Sequence, residues 1–500
     1  MYVSFLMLRI WLDRYNFARY KIVTMTNWLP DLTQGDGPLY LRLADRIESD
    51  IGEGVLEPGI KLPPQRDLAF DIGVTVGTVG RAYALLRERG LVTGEVGRGT
   101  YVIDRSEPEV PAVADSGDIR PTTGMDGTRF LDPPSGKLRL DNTAAPEVGQ
   151  GDTIGTFLSQ IVRENGAEVS AYARRYPDSW FEAGAQWLAR GKFRPSAEDI
   201  VPSLGAHAAI VSVISAMTSP GDHIVFEHVT YSQISRSAGL LGRRTVLARS
   251  DENGLIPEDF EHVCAQRHPK LAFLMPSAQN PTLSTMSAKR RYQIADIARR
   301  YNVWLIEDDL YGSLARDTNP LLAECAPDRT FLVNGLSKSV AAGIRGGWVA
   351  CPAHTAQRVR VAHKMITGGM SFLLAELCAR LVLSGEAAQF REKSIAENNA
   401  RLELVRKAFS GHDFRIRPNI PFVWLALPEP WLSGTFKKAA FEEGVLIDDE
   451  DEFKAGRSDQ VFHRARIGIS APRTRKELAS GLATLRRLLD GGRAGYDSFG

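Results

Sequence analysis

Residues 331–350 have the sequence FLVNGLSKSVAAGIRGGWVA, in which an apolar strand leads into a polar loop and a second apolar strand follows. Residues 303–312, VWLIEDDLYG, form another apolar run, and it ends in carboxylates. Residues 271–281, LAFLMPSAQNP, form a third, and it ends in a polar turn. Strands that alternate with amphipathic helices are typical of an α/β domain, whose functional groups gather at strand ends. We therefore predict an α/β domain over residues 138–490, followed by a polar tail at 491–500.

The polar side chains past these strands have complementary chemistry. A lysine at a dry strand end readily loses its proton and forms a Schiff base. A carboxylate keeps a pyridine nitrogen protonated, an amide and a phenol bind a ring oxygen, and an arginine grips a phosphate with two parallel hydrogen bonds. These are the groups that pyridoxal 5'-phosphate requires of a protein. The sequence therefore indicates a site for that cofactor.

Each signal taken alone has a plainer interpretation. Lys338 belongs to a Ser-Lys pair of the kind that is common on protein surfaces. Asp308 could cap a helix, or could bind a metal together with Glu307 and Asp309, although no histidine lies nearby in the sequence. The order and spacing of the motifs favour the cofactor site, and we expect no metal.

Over residues 138–490 the chain resembles the class I/II aminotransferases, which have the fold-type I pyridoxal-phosphate architecture, with four motifs in family order. The resemblance implies that Lys338 is the catalytic residue, which bonds covalently to the cofactor and later moves a proton. It implies that Asp308 pairs with the pyridinium nitrogen. Tyr311 and Asn280, of the N-P-T motif, would bind the ring hydroxyl.

The same resemblance implies a phosphate site. Arg345 and the turn Gly205-Ala206-His207 would bind the phosphate, the turn through backbone N–H groups at a helix start. Tyr172 would reach the phosphate of the partner subunit, so the resemblance implies a homodimer. The plainer alternatives are that the His207 side chain is incidental and that Tyr172 is a core aromatic residue.

The remaining motifs concern the ring face and the ligand. Tyr231 would stack on the cofactor, and the plainer alternative is an ordinary core aromatic residue. Arg466 in R-I-G-I-S would bind the α-carboxylate of an amino acid, and the plainer alternative is a strand-edge salt bridge. The sequence departs from the family at Leu283, where many relatives have glycine, at Gly335, where serine or threonine is common, and at 181–182, Phe-Glu. These differences lie near the phosphate and leave efficient transamination open.

The N-terminal part, residues 37–104, predicts three helices and a β-hairpin. Leu43, Ile47 and Ile51 recur every four residues, as on one face of a helix. A second helix is expected over 65–72, and a third begins after Thr75 and continues through Arg89. Short strands are predicted at 91–93 and 100–102. This order is typical of a winged helix-turn-helix, whose third helix enters the major groove of DNA.

Charge gives little support for DNA binding by itself. The chain has a net charge of only +1. Residues 76–102 carry four arginines against two glutamates, which leaves a local charge of +2. A small helical domain with ordinary surface charges would look the same.

The motifs L-P-P-x-R-D-L-A, T-V-x-R-A-Y and G-R-G-T-Y-V within 37–104 closely resemble those of the GntR-type winged helix. The resemblance implies that double-stranded operator DNA is contacted by Arg66, Thr78, Arg81 and the wing residue Arg98. Arg66 could instead brace the helices through a salt bridge. Val76 stands where arginine is frequent in such families, which puts base preference in doubt.

The two resemblances together identify the chain as similar to the MocR-type transcriptional regulators. Residues 105–137, rich in proline and glycine, predict a linker. We expect a regulator that binds DNA and senses pyridoxal phosphate or an amino compound, such as an amino acid or amine. The alternative is an active aminotransferase that carries a DNA-binding module.

Residues 1–36 are interpreted as an N-terminal extension, and Met25 is an alternative start. The apolar runs near the N-terminus are broken by charges, and no stretch reaches the length of a membrane span. Four scattered cysteines without paired spacing are typical of a reduced compartment. We therefore expect a cytoplasmic protein without a membrane partner.

Overall fold

The computed structural model describes residues 28–32, 38–95, 99–103, 127–130, 132–458 and 460–499. The chain divides into two units, Met1–Asp118 and Ile119–Gly500. The expected extension lies mostly outside the described residues, as do Met25, Arg98 and residues 105–126 of the expected linker.

The first unit has the predicted order of three helices and a hairpin, which are α1 (Leu39–Gly52), α2 (Gln65–Asp71), α3 (Val76–Glu88), β1 (Val92–Glu95) and β2 (Gly99–Val102). The strands β1 and β2 are antiparallel. The Thr75 hydroxyl accepts a hydrogen bond from the Thr78 backbone N–H and so caps α3, as predicted. Leu43 and Ile47 are fully buried, because their four-residue spacing places them on one face of α1.

The second unit is built on a seven-stranded sheet. Six strands are parallel to one another, and β12 runs antiparallel to both of its neighbours. In spatial order the strands are β4 (Ile200–Ser203), β12 (Gly347–Ala350), β11 (Thr330–Gly335), β10 (Trp304–Asp308), β9 (Leu271–Leu274), β5 (His223–Glu227) and β6 (Arg244–Ala248). The strands predicted from the three apolar runs are confirmed.

Both faces of this sheet are buried. Ile306 and Phe273 pack into a core on one face, whereas the adjacent Leu305 and Leu274 pack into a separate core. This explains why the strands are continuously apolar rather than alternating. The helices of this part are α4 (Gln150–Glu164), α5 (Gly166–Val169), α6 (Asp178–Leu188), α7 (Gly205–Met217), α8 (Gln233–Leu240), α9 (Pro257–Arg267), α10 (Ala288–Arg300), α11 (Gly312–Ala315), α12 (Leu322–Cys325), α13 (Ala356–Thr367) and α14 (Phe372–Leu383).

A smaller layer follows, with its own core. A four-stranded antiparallel sheet has the spatial order β13 (Phe414–Arg415), β14 (Phe422–Ala426), β17 (Arg464–Gly468) and β16 (Asp448–Asp449). The short strand β3 (Leu138–Arg139) pairs with β15 (Val445–Leu446), and β7 (Ser250–Asp251) pairs with β8 (Gly254–Leu255). The helices here are α15 (Glu386–Ala408), α16 (Ser433–Glu442) and α17 (Arg475–Phe499), which breaks at Gly492.

The topology brings the predicted motifs to one edge of the large sheet. Asp308 is the last residue of β10, and the Ser-Lys loop follows β11. Helix α7 begins two residues after β4 ends. Because β12 is reversed, the residues that precede it lie at the same edge. Among the helices that the structure describes, none has the length and apolar character needed to cross a bilayer.

Candidate functional site

A cavity of about 290 Å³ lies at this edge of the sheet. Ten of the eleven residues that the sequence places at the cofactor or its ligand line it, namely Lys338, Asp308, Tyr311, Asn280, Arg345, Tyr231, Gly205, Ala206, His207 and Arg466. They come from segments that are distant in sequence, and the fold assembles them into one site.

The Lys338 amine points into this cavity rather than into bulk water. Its Nζ donates a hydrogen bond to the Thr143 hydroxyl at 3.1 Å and lies 5.8 Å from the centre of the Tyr311 ring. The hydroxyls of Thr143 and Tyr311 are 2.8 Å apart. Thr143 therefore holds both groups in place. Sequence reasoning missed it, because no motif marks a threonine 195 residues before the lysine.

Asp308 is a buried carboxylate at the end of β10. One oxygen accepts a hydrogen bond from the Leu310 backbone N–H at 3.1 Å. Burial raises the pKa of Asp308 to about 7; that hydrogen bond opposes the rise, and the neighbouring charge of Asp309 adds to it. A buried carboxylate that faces a cavity stays ionised far more readily when a cation binds there. The residue therefore fits a protonated ring nitrogen.

The two acids that flank Asp308 have structural partners. Glu307 accepts a hydrogen bond from the Ala323 backbone N–H at 3.0 Å, and Asp309 forms a salt bridge with Arg190 at 2.8 Å. Neither side chain lines the cavity. Asp308 is therefore the one carboxylate of the three that faces the ligand space.

The phosphate end of the cavity combines an arginine with a helix start. Gly205, the first residue of α7, has φ +85°, and a Cβ there would lie 3.9 Å from the guanidinium carbon of Arg345. Arg345 itself has φ +51°, a conformation that persists where the surrounding structure holds it. A helix N-terminus with a neighbouring guanidinium is a favourable site for a phosphate. The donors present fit that group.

Two departures from the family pattern have steric accounts. A Cβ on Gly335 would lie 2.6 Å from the carbonyl oxygen of Gly346, so the strand pairing excludes a serine or threonine there. Leu283 has φ +63°, the left-handed conformation that glycine adopts most easily. Leucine therefore holds here a conformation in which glycine would be less strained.

Tyr231 and His207 form one wall of the cavity. The Tyr231 hydroxyl donates to Gln233 Oε1 at 2.8 Å and lies 3.4 Å from His207 Nδ1. The two rings meet edge to face, with centres 6.0 Å apart. Burial raises the pKa of Tyr231 to about 12, whereas burial and the charge of Arg345 lower the pKa of His207. Both rings are therefore neutral at physiological pH.

Arg466 on β17 is buried beside the cavity. It donates to Asn280 Oδ1 at 2.9 Å and to the Asp141 carbonyl at 3.0 Å, and it forms a salt bridge with Asp448 on β16. The strand salt bridge considered for this arginine is therefore present. Its Nε is buried without a hydrogen-bond partner, which leaves a donor available for an anion.

The structure adds an ion-pair network that sequence reasoning missed. Arg129, within the expected linker, donates through Nε and Nη2 to the two carboxylate oxygens of Asp448, at 2.9 and 2.7 Å. Burial by itself would raise the pKa of Asp448, but the charges of Arg466 and Arg129 hold it below its ordinary value. No local motif marks these residues, because they meet across 319 positions of sequence.

Tyr172 lies outside the cavity, and its side chain is 93% exposed. The role proposed for it concerns a partner subunit, so it stays a prediction.

In the first unit, Arg66 and Arg81 are exposed on α2 and α3. Arg66 forms no salt bridge with a described residue, so the bracing alternative has no support in this part of the chain. The Thr78 hydroxyl lies 2.9 Å from the Thr75 hydroxyl at the start of α3. The contacts with DNA stay predictions, and Arg98 lies outside the described residues.

Comparison with known proteins gives concordant results. Residues 162–485 match the family "Aminotransferase class I and II", and residues 39–102 match "Bacterial regulatory proteins, gntR family". The chain is 31% identical over 466 residues to the HTH-type transcriptional regulator YdeF of Bacillus subtilis, covering 93% of this chain and 97% of the relative. It is 26% identical to the HTH-type transcriptional regulator YdcR of Escherichia coli, covering 85% and 94% respectively.

Solved structures show the same fold for the second unit. LysN, an α-aminoadipate aminotransferase from Thermus thermophilus that was crystallised with N-(5'-phosphopyridoxyl)-L-leucine, superposes with a TM-score of 0.63 at 20% identity. The match covers 71% of this chain and 93% of LysN. An archaeal alanine:glyoxylate aminotransferase gives a TM-score of 0.64 at 21% identity, covering 71% and 91%.

Proposed function

Because the chain belongs to the HTH-type transcriptional regulators that join a gntR-family domain to an aminotransferase class I and II domain, the MocR-type architecture, we propose that an amino compound controls its binding to DNA. In this proposal the second unit holds pyridoxal phosphate and receives the amino compound. The first unit binds the operator.

The observation that carries the proposal is the joint position of Lys338, Asp308 and Arg345 around one cavity. The cofactor, when bound, would supply an aldehyde for covalent bonding to amines and an electron-withdrawing ring. Lys338 would hold the aldehyde carbon, and Asp308 would keep the ring nitrogen protonated. Arg345 and the start of α7 would bind the phosphate. The buried Nε of Arg466 would receive the carboxylate of an amino acid.

Control of DNA binding requires that the ligand discriminates between two states of the protein. A shift from mostly one state to mostly the other needs about 5.5 kcal/mol of differential affinity. An amino compound in the cavity would displace the Lys338 amine and change its contacts with Thr143 and Tyr311. That change of contacts is therefore a suitable source of the discrimination.

The cofactor part of the proposal is tested by the absorption spectrum of the purified chain. A visible band from the covalently bound cofactor should appear with the native lysine and be absent from Lys338→Ala. Lys364→Ala, on α13, is a suitable control, because that residue does not line the cavity. A chain that gives no band with added pyridoxal phosphate contradicts the proposal.

The DNA part is tested by binding to the promoter region of the gene cluster that encodes the protein, as a function of salt. Arg81→Ala should weaken specific binding by about 1–3 kcal/mol, because the first half of a recognition helix contacts base edges. Arg87 is also exposed but lies in the last turn of α3, so Arg87→Ala should have a smaller effect. Absence of any sequence-specific complex at moderate salt would count against a regulator.

A working aminotransferase is the second candidate, because Arg466 and Lys338 line the same cavity. Lys338 would move a proton of the bound amino acid, and Arg466 would hold the carboxylate of that amino acid. A single-turnover reaction with a panel of amino acids tests the capacity for catalysis: a keto acid formed in stoichiometric amount indicates that the chain carries out the half-reaction. A slow half-reaction is compatible with sensing.

We also propose that the protein acts as a homodimer in the cytoplasm. The family resemblance supports the dimer, and Tyr172, which is 93% exposed, is accessible to a second chain. Sedimentation of the full chain tests whether it is a dimer. The cofactor affinity of Tyr172→Ala, compared with that of the native chain, tests whether a second chain contributes to the site.

A further inference from the structure

Residues 127–130, here called the docking segment, belong to the expected linker yet are anchored to the second unit. The Thr128 hydroxyl donates to Asp449, and its carbonyl accepts from Lys437. The Phe130 ring stacks on Phe441 on α16, with ring centres 5.2 Å apart. The docking segment is the earliest described stretch of the second unit in the sequence. These contacts hold it beside the cavity.

Arg129 extends from this segment into the cavity wall. Its Nε and Nη2 are occupied by Asp448, but its Nη1 makes no hydrogen bond to a described residue. Arg466 uses the same Asp448 carboxylate and keeps its buried Nε without a partner. Two arginines that line the cavity therefore share one carboxylate, and each retains a donor atom without a partner among the described residues.

The charges of the network point to the kind of ligand. Arg129 and Arg466 contribute two positive charges against the single negative charge of Asp448, which leaves one positive charge unmatched. Three neighbouring pairs are matched one to one, namely Arg139 with Asp141, Arg236 with Glu452 and Lys437 with Asp449. Elsewhere in the cavity the charge of Lys338 acts on Asp308, and Arg345 lies at the phosphate end. A buried unmatched charge is costly, and one carboxylate from a ligand would neutralise it.

We propose that Arg129 is a ligand-contact residue that holds the carboxylate of an amino-acid ligand together with Arg466. Since the contact exists only while the docking segment is in place, the ligand stabilises the docked segment by mass action. Occupancy of the cavity is thereby linked to the end of the linker that leads to the DNA-binding unit. This inference rests on the proposed function and identifies carboxylate-bearing amines, rather than simple amines, as the effective class.

The test compares amino acids with their carboxylate-free counterparts on the full chain loaded with pyridoxal phosphate. L-Alanine is paired with ethylamine, and L-phenylalanine with phenethylamine. Binding is followed by the cofactor absorbance, and hydrogen exchange is measured on a peptide that covers 127–134. The amino acids should slow exchange of this peptide at least three-fold, whereas the amines should bind without slowing it.

Variants separate the contact from general effects on folding. Arg129→Ala should weaken amino-acid binding at least ten-fold and change amine binding by no more than two-fold. Arg129→Lys keeps the charge, so its affinity for amino acids should lie between those of the native chain and Arg129→Ala. Arg249→Ala is the matched control, because Arg249 also pairs with an aspartate, Asp259, but its side chain is 71% exposed and lies outside the cavity.

The failures are distinguishable. Amino acids that change the absorbance yet leave the exchange of the 127–134 peptide unaltered in the native chain overturn the inference alone. Equal weakening of amines and amino acids by Arg129→Ala also overturns it. If neither class of compound changes the absorbance of the loaded protein, the proposed sensing function fails as well.

Discussion

Replacement of Asp308 by asparagine should have opposite effects on the cofactor-free and the cofactor-bound protein. The pKa of this buried carboxyl rises from 3.8 to about 7 in the folded chain. At about 1.4 kcal/mol for each pKa unit, the ionised carboxylate destabilises the cofactor-free fold by about 4 kcal/mol above pH 7. Asparagine removes that charge while its oxygen keeps the hydrogen bond from Leu310.

The sign follows from proton binding. Between the unfolded pKa of about 3.9 and the folded value, the native state holds a proton that the unfolded chain has lost, so stability falls as pH rises. It is level again above the folded pKa. The stability of Asp308→Asn relative to the native chain should therefore increase by about 2 kcal/mol from pH 5.5 to pH 8. Urea unfolding of both cofactor-free proteins, followed by tryptophan fluorescence, measures this difference.

Cofactor affinity should change in the other direction, because a protonated ring nitrogen loses its counter-charge. A charge-assisted hydrogen bond contributes about 1.5–3 kcal/mol, which corresponds to a loss of about ten- to hundred-fold in affinity. Glu307→Gln is the matched control: burial raises the pKa of Glu307 to about 7 as well, but that side chain does not line the cavity. Glu307→Gln should relieve the same pH-dependent instability without weakening the binding of the cofactor. Equal affinities for pyridoxal phosphate in the two variants would refute the reasoning.

Three further changes test individual contacts. Thr143→Val removes the hydroxyl that bonds Lys338 Nζ, and it should slow formation of the visible cofactor band by at least ten-fold with little change in fold. Gly347→Ala places a Cβ 2.7 Å from the backbone of Gly205. It should lower the free energy of unfolding of the second unit by about 1–3 kcal/mol, which is measured as a lower urea midpoint. Thr75→Ala removes the N-cap of α3 and should cost about 1 kcal/mol, measured as faster hydrogen exchange in the peptide Val76–Glu88.

Local patterns were sufficient for the elements of both units. The four-residue spacing of Leu43 and Ile47, the cap at Thr75 and the continuously apolar strand before Asp308 each reflect forces that act within a few residues. The order of polar residues behind the strands was also sufficient to predict that these residues meet at one place, because parallel strands end at one edge of a sheet.

Contacts between distant segments could not be read in this way. Thr143 beside Lys338, and Arg129 on Asp448, are ordinary residues until the fold brings them together across 195 and 319 positions. The burial that raises the pKa of Asp308 likewise depends on every element packed around it. Short motifs were therefore sufficient to predict the fold and which residues gather at the cavity. The ion pairs of Arg129 and the raised pKa of Asp308 arise from tertiary packing, because electrostatic energies depend on distances and burial that no short stretch of sequence specifies.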